Sequence, residues 1–125
     1  ETMVVTLSFQ GNPDLYLINR RGEILRQLTK RTGINVSPSF SPDGRHIVFV
    51  SDRSGKPQLY LMELASGNTQ RLTFEGVYNA RARVAQDGRN VVLVHQVSGD
   101  FHIAILDLVT NRMLAMFKRK DRKQK

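Results

Sequence analysis

Ser39-Phe40-Ser41-Pro42-Asp43-Gly44-Arg45-His46-Ile47-Val48-Phe49-Val50-Ser51 joins a tight turn to a β-branched and aromatic run. Proline presets the dihedral of the turn, and the glycine accepts a positive one. The run from His46 to Ser51 has the composition of a strand. Ile47 to Val50 is apolar at every position, whereas a strand with one wet face would alternate. A buried helix is also apolar all round, but the short length, the Gly/Pro punctuation and the β-branched content favour a strand.

Working outward, Asn35 to Ser41 reads as a short strand before the turn. Arg53-Ser54-Gly55-Lys56-Pro57 is a second turn, Gln58 to Leu64 a third strand, and Ala65-Ser66-Gly67-Asn68 another turn. Thr69 to Phe74 is a fourth, more alternating strand, as an outer edge would be. The unit is a four-stranded antiparallel meander. It recurs at 44-residue spacing without gaps: Leu15, Leu59 and Ile103 share one register, as do Asn35 and Asn79, Asp43 and Asp87, Gly44 and Gly88, and Leu28, Leu72 and Met116. Val91-Val92-Leu93-Val94 repeats the doubly apolar strand. Sheets apolar on both sides and repeated at a fixed period pack face to face, which describes the blades of a β-propeller. The expected fold is therefore all-β: a propeller segment of about three four-stranded blades in units 1–29, 30–73 and 74–117. The first begins at Met3 inside its second strand and lacks an inner one, so eleven strands are expected in all.

Composition narrows the function. The formal net charge is +8, but Lys118 to Lys125 supply +5 of it, leaving +3 for the other residues. Residues 118–125 carry no apolar side chain and read as a disordered, solvated basic tail, so no nucleic-acid partner is expected. No apolar stretch approaches the ~20 residues that span a bilayer, and no membrane insertion is expected. There is no cysteine, hence no disulfide framework or thiolate metal site. His95 and His102 flank the Ser98-Gly99 hairpin without a third ligand or a metal-binding spacing, and read as surface histidines. Asp43 and Asp87 fit Asx-turns, and the acidic ladder of a calcium loop is missing. With no phosphate loop, no nucleophile elbow and no paired carboxylates, neither a cofactor nor intrinsic enzyme activity is expected.

The ordered series Ser39-Phe40-Ser41-Pro42-Asp43-Gly44-Arg45, Ile47-Val48-Phe49-Val50-Ser51-Asp52-Arg53, Leu59-Tyr60-Leu61-Met62 and Arg71-Leu72-Thr73 resembles the repeat of the TolB family, as does Gln70 to Gly76 followed by Asn79. The resemblance runs from Met3 to about Met116, although Ala85-Gln86 stand where the second unit has Ser41-Pro42. It implies part of a six-bladed periplasmic propeller of the Tol–Pal cell-envelope system. It also implies a non-catalytic scaffold binding a Pal-like lipoprotein, with other Tol proteins or colicins as further partners. Propellers of the prolyl oligopeptidase group carry similar repeats, so the alternative is a substrate-gating accessory of such a hydrolase.

Loops between outermost and innermost strands gather at one end of a propeller channel. Here they are Lys30 to Asn35 and Glu75 to Asn79. The candidate partner-binding residues are Arg31, Thr32, Ile34 and Asn35 in the first, and Glu75, Val77, Tyr78 and Asn79 in the second. Arg81 and Arg83 follow on the inner strand, placed to receive acidic groups. Asn35 and Asn79 are expected to fix their loops by local hydrogen bonds. Three blades alone would leave two uncovered faces, so a free-standing chain is expected to form a homodimer completing a six-bladed ring.

Overall fold

The computed structural model describes residues 1–115. The expected tail at 118–125, together with Met116 and Phe117, lies outside them. Eleven strands form three antiparallel sheets. The first holds β1 (Thr2–Phe9), β2 (Asn12–Asn19) and β3 (Ile24–Gln27). The second holds β4 (Asn35–Phe40), β5 (His46–Ser51), β6 (Gln58–Glu63) and β7 (Thr69–Arg71). The third holds β8 (Tyr78–Val84), β9 (Asn90–Gln96), β10 (Phe101–Asp107) and β11 (Arg112–Ala115). Within each sheet the strands pair in chain order, so each is a meander. The first sheet has three strands, with β1 in the register of β5 and β9, as the spacing implied.

Two cores lie between the sheets, and the period-2 alternation of the strands sorts residues between them. Ile47, Phe49, Tyr60 and Met62 pack with Leu15 and Val4 of the first sheet. Their chain neighbours Val48, Val50 and Leu59 pack the other way, against Ala80, Ala82, Val91, Leu93, Ala104 and Leu106 of the third. The second sheet is thus buried on both faces, which is why β5 is apolar throughout. The third sheet corrects the expectation that Val91 to Val94 would be covered on both sides. Val91 and Leu93 are buried, but Val92 is 40% exposed, because among the described residues no sheet follows to cover that face.

The inner strands are irregular. The pairing of β4 with β5 shifts between Val36 and Ser39, and that of β8 with β9 between Ala80 and Arg83. At both bulges a non-glycine residue is left-handed, Ser37 at φ 55° and Arg81 at φ 55°. A bulge bends its strand and re-aims the side chain beside it. At the opposite strand ends, Asp43 and Asp87 close the two Asp-Gly turns. Asp43 accepts from the Arg45 amide at 2.9 Å, and Asp87 from the Arg89 amide at 2.9 Å. The Ser41 hydroxyl and then the Arg45 amide on Asp43, and the Asn90 and then the Arg89 backbone amide on Asp87, hold both carboxyls below the usual range.

Candidate functional site

Loops between sheets are positioned by a buried polar relay that repeats with the sequence. Asp14, at the start of β2, accepts the Thr29 hydroxyl at 2.8 Å, and Thr29 Oγ1 accepts the Leu15 amide at 3.0 Å. Asn35, on the next sheet, donates its side-chain amide to Asp14 at 3.3 Å and to the Gly33 carbonyl at 3.0 Å. One repeat later the parts are Gln58, Thr73 and Asn79. Thr73 donates to Gln58 Oε1 at 2.6 Å and accepts the Leu59 amide at 2.9 Å. Asn79 donates to Gln58 Oε1 at 2.9 Å and to the Glu75 carbonyl at 2.9 Å. Each relay ties two sheets together and pins the loop between them. Every buried side-chain polar atom among the described residues has a partner, as low-dielectric burial demands.

The two asparagine oxygens are satisfied differently. Asn35 Oδ1 accepts from the Arg53 guanidinium at 3.0 Å, which also reaches Thr32 Oγ1 at 3.1 Å and lies over the Tyr60 ring at 4.8 Å. Asn79 Oδ1 meets His95 Nδ1 at 2.6 Å. Since the Asn79 nitrogen is spent as a donor, His95 carries its proton on Nδ1. His95 is 4% exposed, which corrects its reading as a surface histidine: the ring is part of the relay. Burial, and then neighbouring His102, press its pKa below the ordinary histidine value, with Glu75 opposing. His95 and His102 are direct cross-strand neighbours, yet among the described residues no three potential ligands gather for a metal.

Above the second relay a groove of about 560 Å³ opens between the second and third sheets. It brings together Ile34, Tyr78, Arg81 and Arg83 from the expected set, and adds Ser37, Asp52 and Pro57. Ile34 is exposed on one wall, its amide held by Asp52 Oδ1 at 2.8 Å. Tyr78 stands on the other, edge-on to Phe101 with ring centroids 5.6 Å apart. The bulge at Arg81 places both arginines at the exposed wall, and among the described residues the Arg83 side chain donates only to the Ala82 carbonyl at 2.8 Å. Among the described residues the one salt bridge is elsewhere, Arg89 with Asp107 at 2.8 Å, which takes the Asp107 carboxyl down to about 2.

The other expected residues fall outside this groove. Arg31 turns left-handed at φ 54° and donates to Gln10 Oε1 at 3.0 Å, over the first sheet. Thr32 belongs to the Arg53–Asn35 cluster. Glu75 and Val77 are exposed on the loop but do not line the groove. Asn35 and Asn79 are fully buried, so they hold the loops and offer no contact surface to a partner. Sequence reasoning missed Arg53 and His95. A readable signal existed only for His95, which occupies the register of Ser51 at the end of an apolar strand.

Comparison with known proteins places these features in a lineage. The TolB homolog of Chlorobium chlorochromatii is 47% identical over 51 residues, which is 41% of this chain and 12% of that protein. The Tol-Pal system protein TolB of Helicobacter hepaticus is 42% identical over 53 residues, 42% of this chain and 13% of that protein. Among solved structures, TolB from Acinetobacter baumannii superposes with a TM-score of 0.83 at 35% identity, covering 92% of this chain and 29% of the other. A puromycin-hydrolyzing peptidase of Mycobacterium tuberculosis shares the fold at 16% identity and a TM-score of 0.72, covering 92% of this chain and 19% of that one. The chain thus matches only a small part of each relative's length. The family described as the TolB beta propeller domain matches residues 1–122, nearly the whole sequence. Together with the 44-residue meander, the packed sheets and the relays between them, that match shows that the chain belongs to the TolB β-propeller domain family.

Proposed function

We propose that this chain is part of a non-catalytic protein-binding scaffold of a Tol–Pal-type system, working in the periplasm and binding a Pal-like lipoprotein at the loop end of the sheets. One observation carries the reading. Two exposed arginines without a carboxylate partner among the described residues share a groove with Ile34 and Tyr78. Apolar and aromatic anchors flanked by guanidinium groups are the usual hot-spot chemistry of protein interfaces. Arginine forks suit carboxylates on the partner. The names of several relatives as Tol-Pal system proteins support the choice of system. Rigid presentation supplies the mechanism: the relays fix Ile34 and Tyr78 beforehand, so little ordering entropy is lost on docking.

The test is calorimetry of a purified Pal-like lipoprotein against the chain and its Arg81→Ala/Arg83→Ala variant. Affinity should fall about tenfold or more, as expected for lost charge-assisted contacts. The melting temperature should stay close to that of the unmodified chain, because both side chains are exposed. Equal affinities would remove the groove as the binding site.

A further inference from the structure

The seam between the second and third sheets also opens at the end away from the arginine groove. The opening there is about 450 Å³, within the size range of ligand pockets. Its floor is Val48, Leu61, Val84 and Leu108. Val48 is fully buried, and the other three are half-buried. Its rim is made by the two Asp-Gly turns, which carry Asp43 and Asp87. The turns adjoin: a β-carbon on Gly88 would stand 3.9 Å from Pro42 Cδ.

The repeat shows why space is left here. The face that the third sheet turns toward the second is built from smaller side chains than the face that the second turns toward the first. Val91 stands for Ile47, Leu93 for Phe49, Ala104 for Tyr60 and, at the groove itself, Val84 for Phe40. Phe40 and Leu64 pack against the core shared with the first sheet. Their counterparts Val84 and Leu108 face the second sheet across the groove. The faces they meet are alike, with Val4 and Leu15 in the first sheet and Val48 and Leu59 in the second. The hollow therefore comes from the trimmed face of the third sheet, and at the groove from valine in place of phenylalanine.

Charge selects the occupant. Asp43 and Asp87 are exposed, and their lowered carboxyls are anionic at neutral pH. Their hydrogen bonds go to their own turns. Asp43 spends Oδ1 on the Ser41 hydroxyl and the Arg45 amide, and among the described residues its Oδ2 accepts nothing. Asp87 takes the Arg89 and Asn90 amides on Oδ1 and the Asn90 side chain on Oδ2. Among the described residues neither is in an ion pair, and no lysine or arginine lines the groove. His46 is the basic group on the rim, while Arg89 lies outside it, bound to Asp107. An apolar floor under an acidic rim matches side chains with apolar stems and cationic tips.

We propose that this groove docks a basic, apolar segment of a partner polypeptide, its apolar side chains and lysine or arginine stems on Val84 and Leu108 and its cationic tips at Asp43 and Asp87. The site is independent of the arginine groove and opposite to it in charge. Apolar burial supplies the affinity, and charge complementarity rejects acidic segments.

The test is an amide-shift NMR titration of the full chain with the peptide acetyl-Leu-Lys-Val-Lys-Leu-amide. Saturable shifts should centre on Val84, Leu108 and the two Asp-Gly turns, with a dissociation constant of about 1 mM or tighter. Peptides with glutamate for lysine, or with serine for leucine and valine, should not saturate. Asp43→Asn/Asp87→Asn keeps the side-chain oxygens that close the turns and should weaken binding about fivefold, the loss of two exposed ion pairs. Val84→Phe restores the side chain that the second unit has in this register and should abolish binding. If that variant loses its dispersed spectrum, the asparagine pair decides. Each of the following would overturn the proposal: no saturable shifts with the lysine peptide, equal affinity in the asparagine pair or in a folded Val84→Phe variant, equal binding of either control peptide, shifts centred on Arg81 and Arg83 instead, or the same shifts appearing without peptide as the chain is concentrated, which would make a second copy the occupant.

Discussion

His95 shows how one side chain can set the pH response of a sheet interface. Its Nδ1–H is committed to Asn79, and burial holds the ring neutral. The unfolded chain takes up a proton near the ordinary histidine pKa of about 6.5. The folded chain resists until the pH is lower, so between those points the unfolded state binds more protons. Stability from this group is therefore complete above about 6.5 and is lost as the pH falls below it. Denaturant unfolding at pH 7.5 and 5.5 should show a weaker fold at the lower pH. A His95→Gln variant, whose amide can still donate to Asn79, should narrow that difference. A fold that strengthens on acidification across this window would contradict the assignment. Arg53 performs the same task for Asn35 with a charge that does not titrate here, so the first relay should be insensitive over this range.

The loops show what separates a permissive glycine from a required one. Gly44 has φ +73° in the Pro42-Asp43-Gly44 turn, and nothing lies within 4 Å of where a β-carbon would stand. Gly76 has φ +89°, but its β-carbon would meet the Gln96 carbonyl oxygen at 2.6 Å and His95 Cε1 at 2.8 Å. Gly44→Ala should cost about 1 kcal/mol of backbone strain. Gly76→Ala should cost clearly more, because it also pushes the loop off the His95–Asn79 relay. Parallel denaturant titrations giving equal losses would refute that difference. Strands were legible for the same reason that this loop was not. The apolar run His46 to Ser51 and its neighbours reflect burial on two faces, and that pattern is printed in the side chains. The fourth strand read as Thr69 to Phe74 stops at Arg71, because Thr73 turns inward to bond Gln58. The relays join residues that are 15 and 21 apart, where periodicity is silent. The groove was half legible: Ile34, Tyr78, Arg81 and Arg83 were expected there, whereas Asp52 and Pro57 reach it only through the folding of the second turn.

At the scale of the molecule, an exposed apolar face is given meaning by the repeat. Val92 and Ile103 occupy the register of Val48 and Leu59, which are fully buried against the third sheet. Val92 and Ile103 are instead 40% and 49% exposed, and Phe101 and Leu114 widen the patch. The first sheet offers a counterpart, since Met3 stands in the register of buried Ile47 and is also exposed. Each contact of this kind within the chain joins the forward face of one sheet to the back face of the next. Two copies can satisfy both exposed faces through two identical junctions related by a twofold axis, and six sheets lie within the range of about four to eight that close propellers. Free-standing, the 125-residue chain should therefore sediment at twice its 14.2 kDa. Ile103→Asp places a carboxylate at the centre of the junction, where burial without a partner is strongly unfavourable. Because Ile103 is half-exposed in the single chain, the substitution should release monomer while far-UV circular dichroism keeps its strand signature. A single 14.2 kDa species for the unmodified chain up to about 100 µM, a concentration at which even weak micromolar contacts are populated, would show that the two faces do not recognise each other.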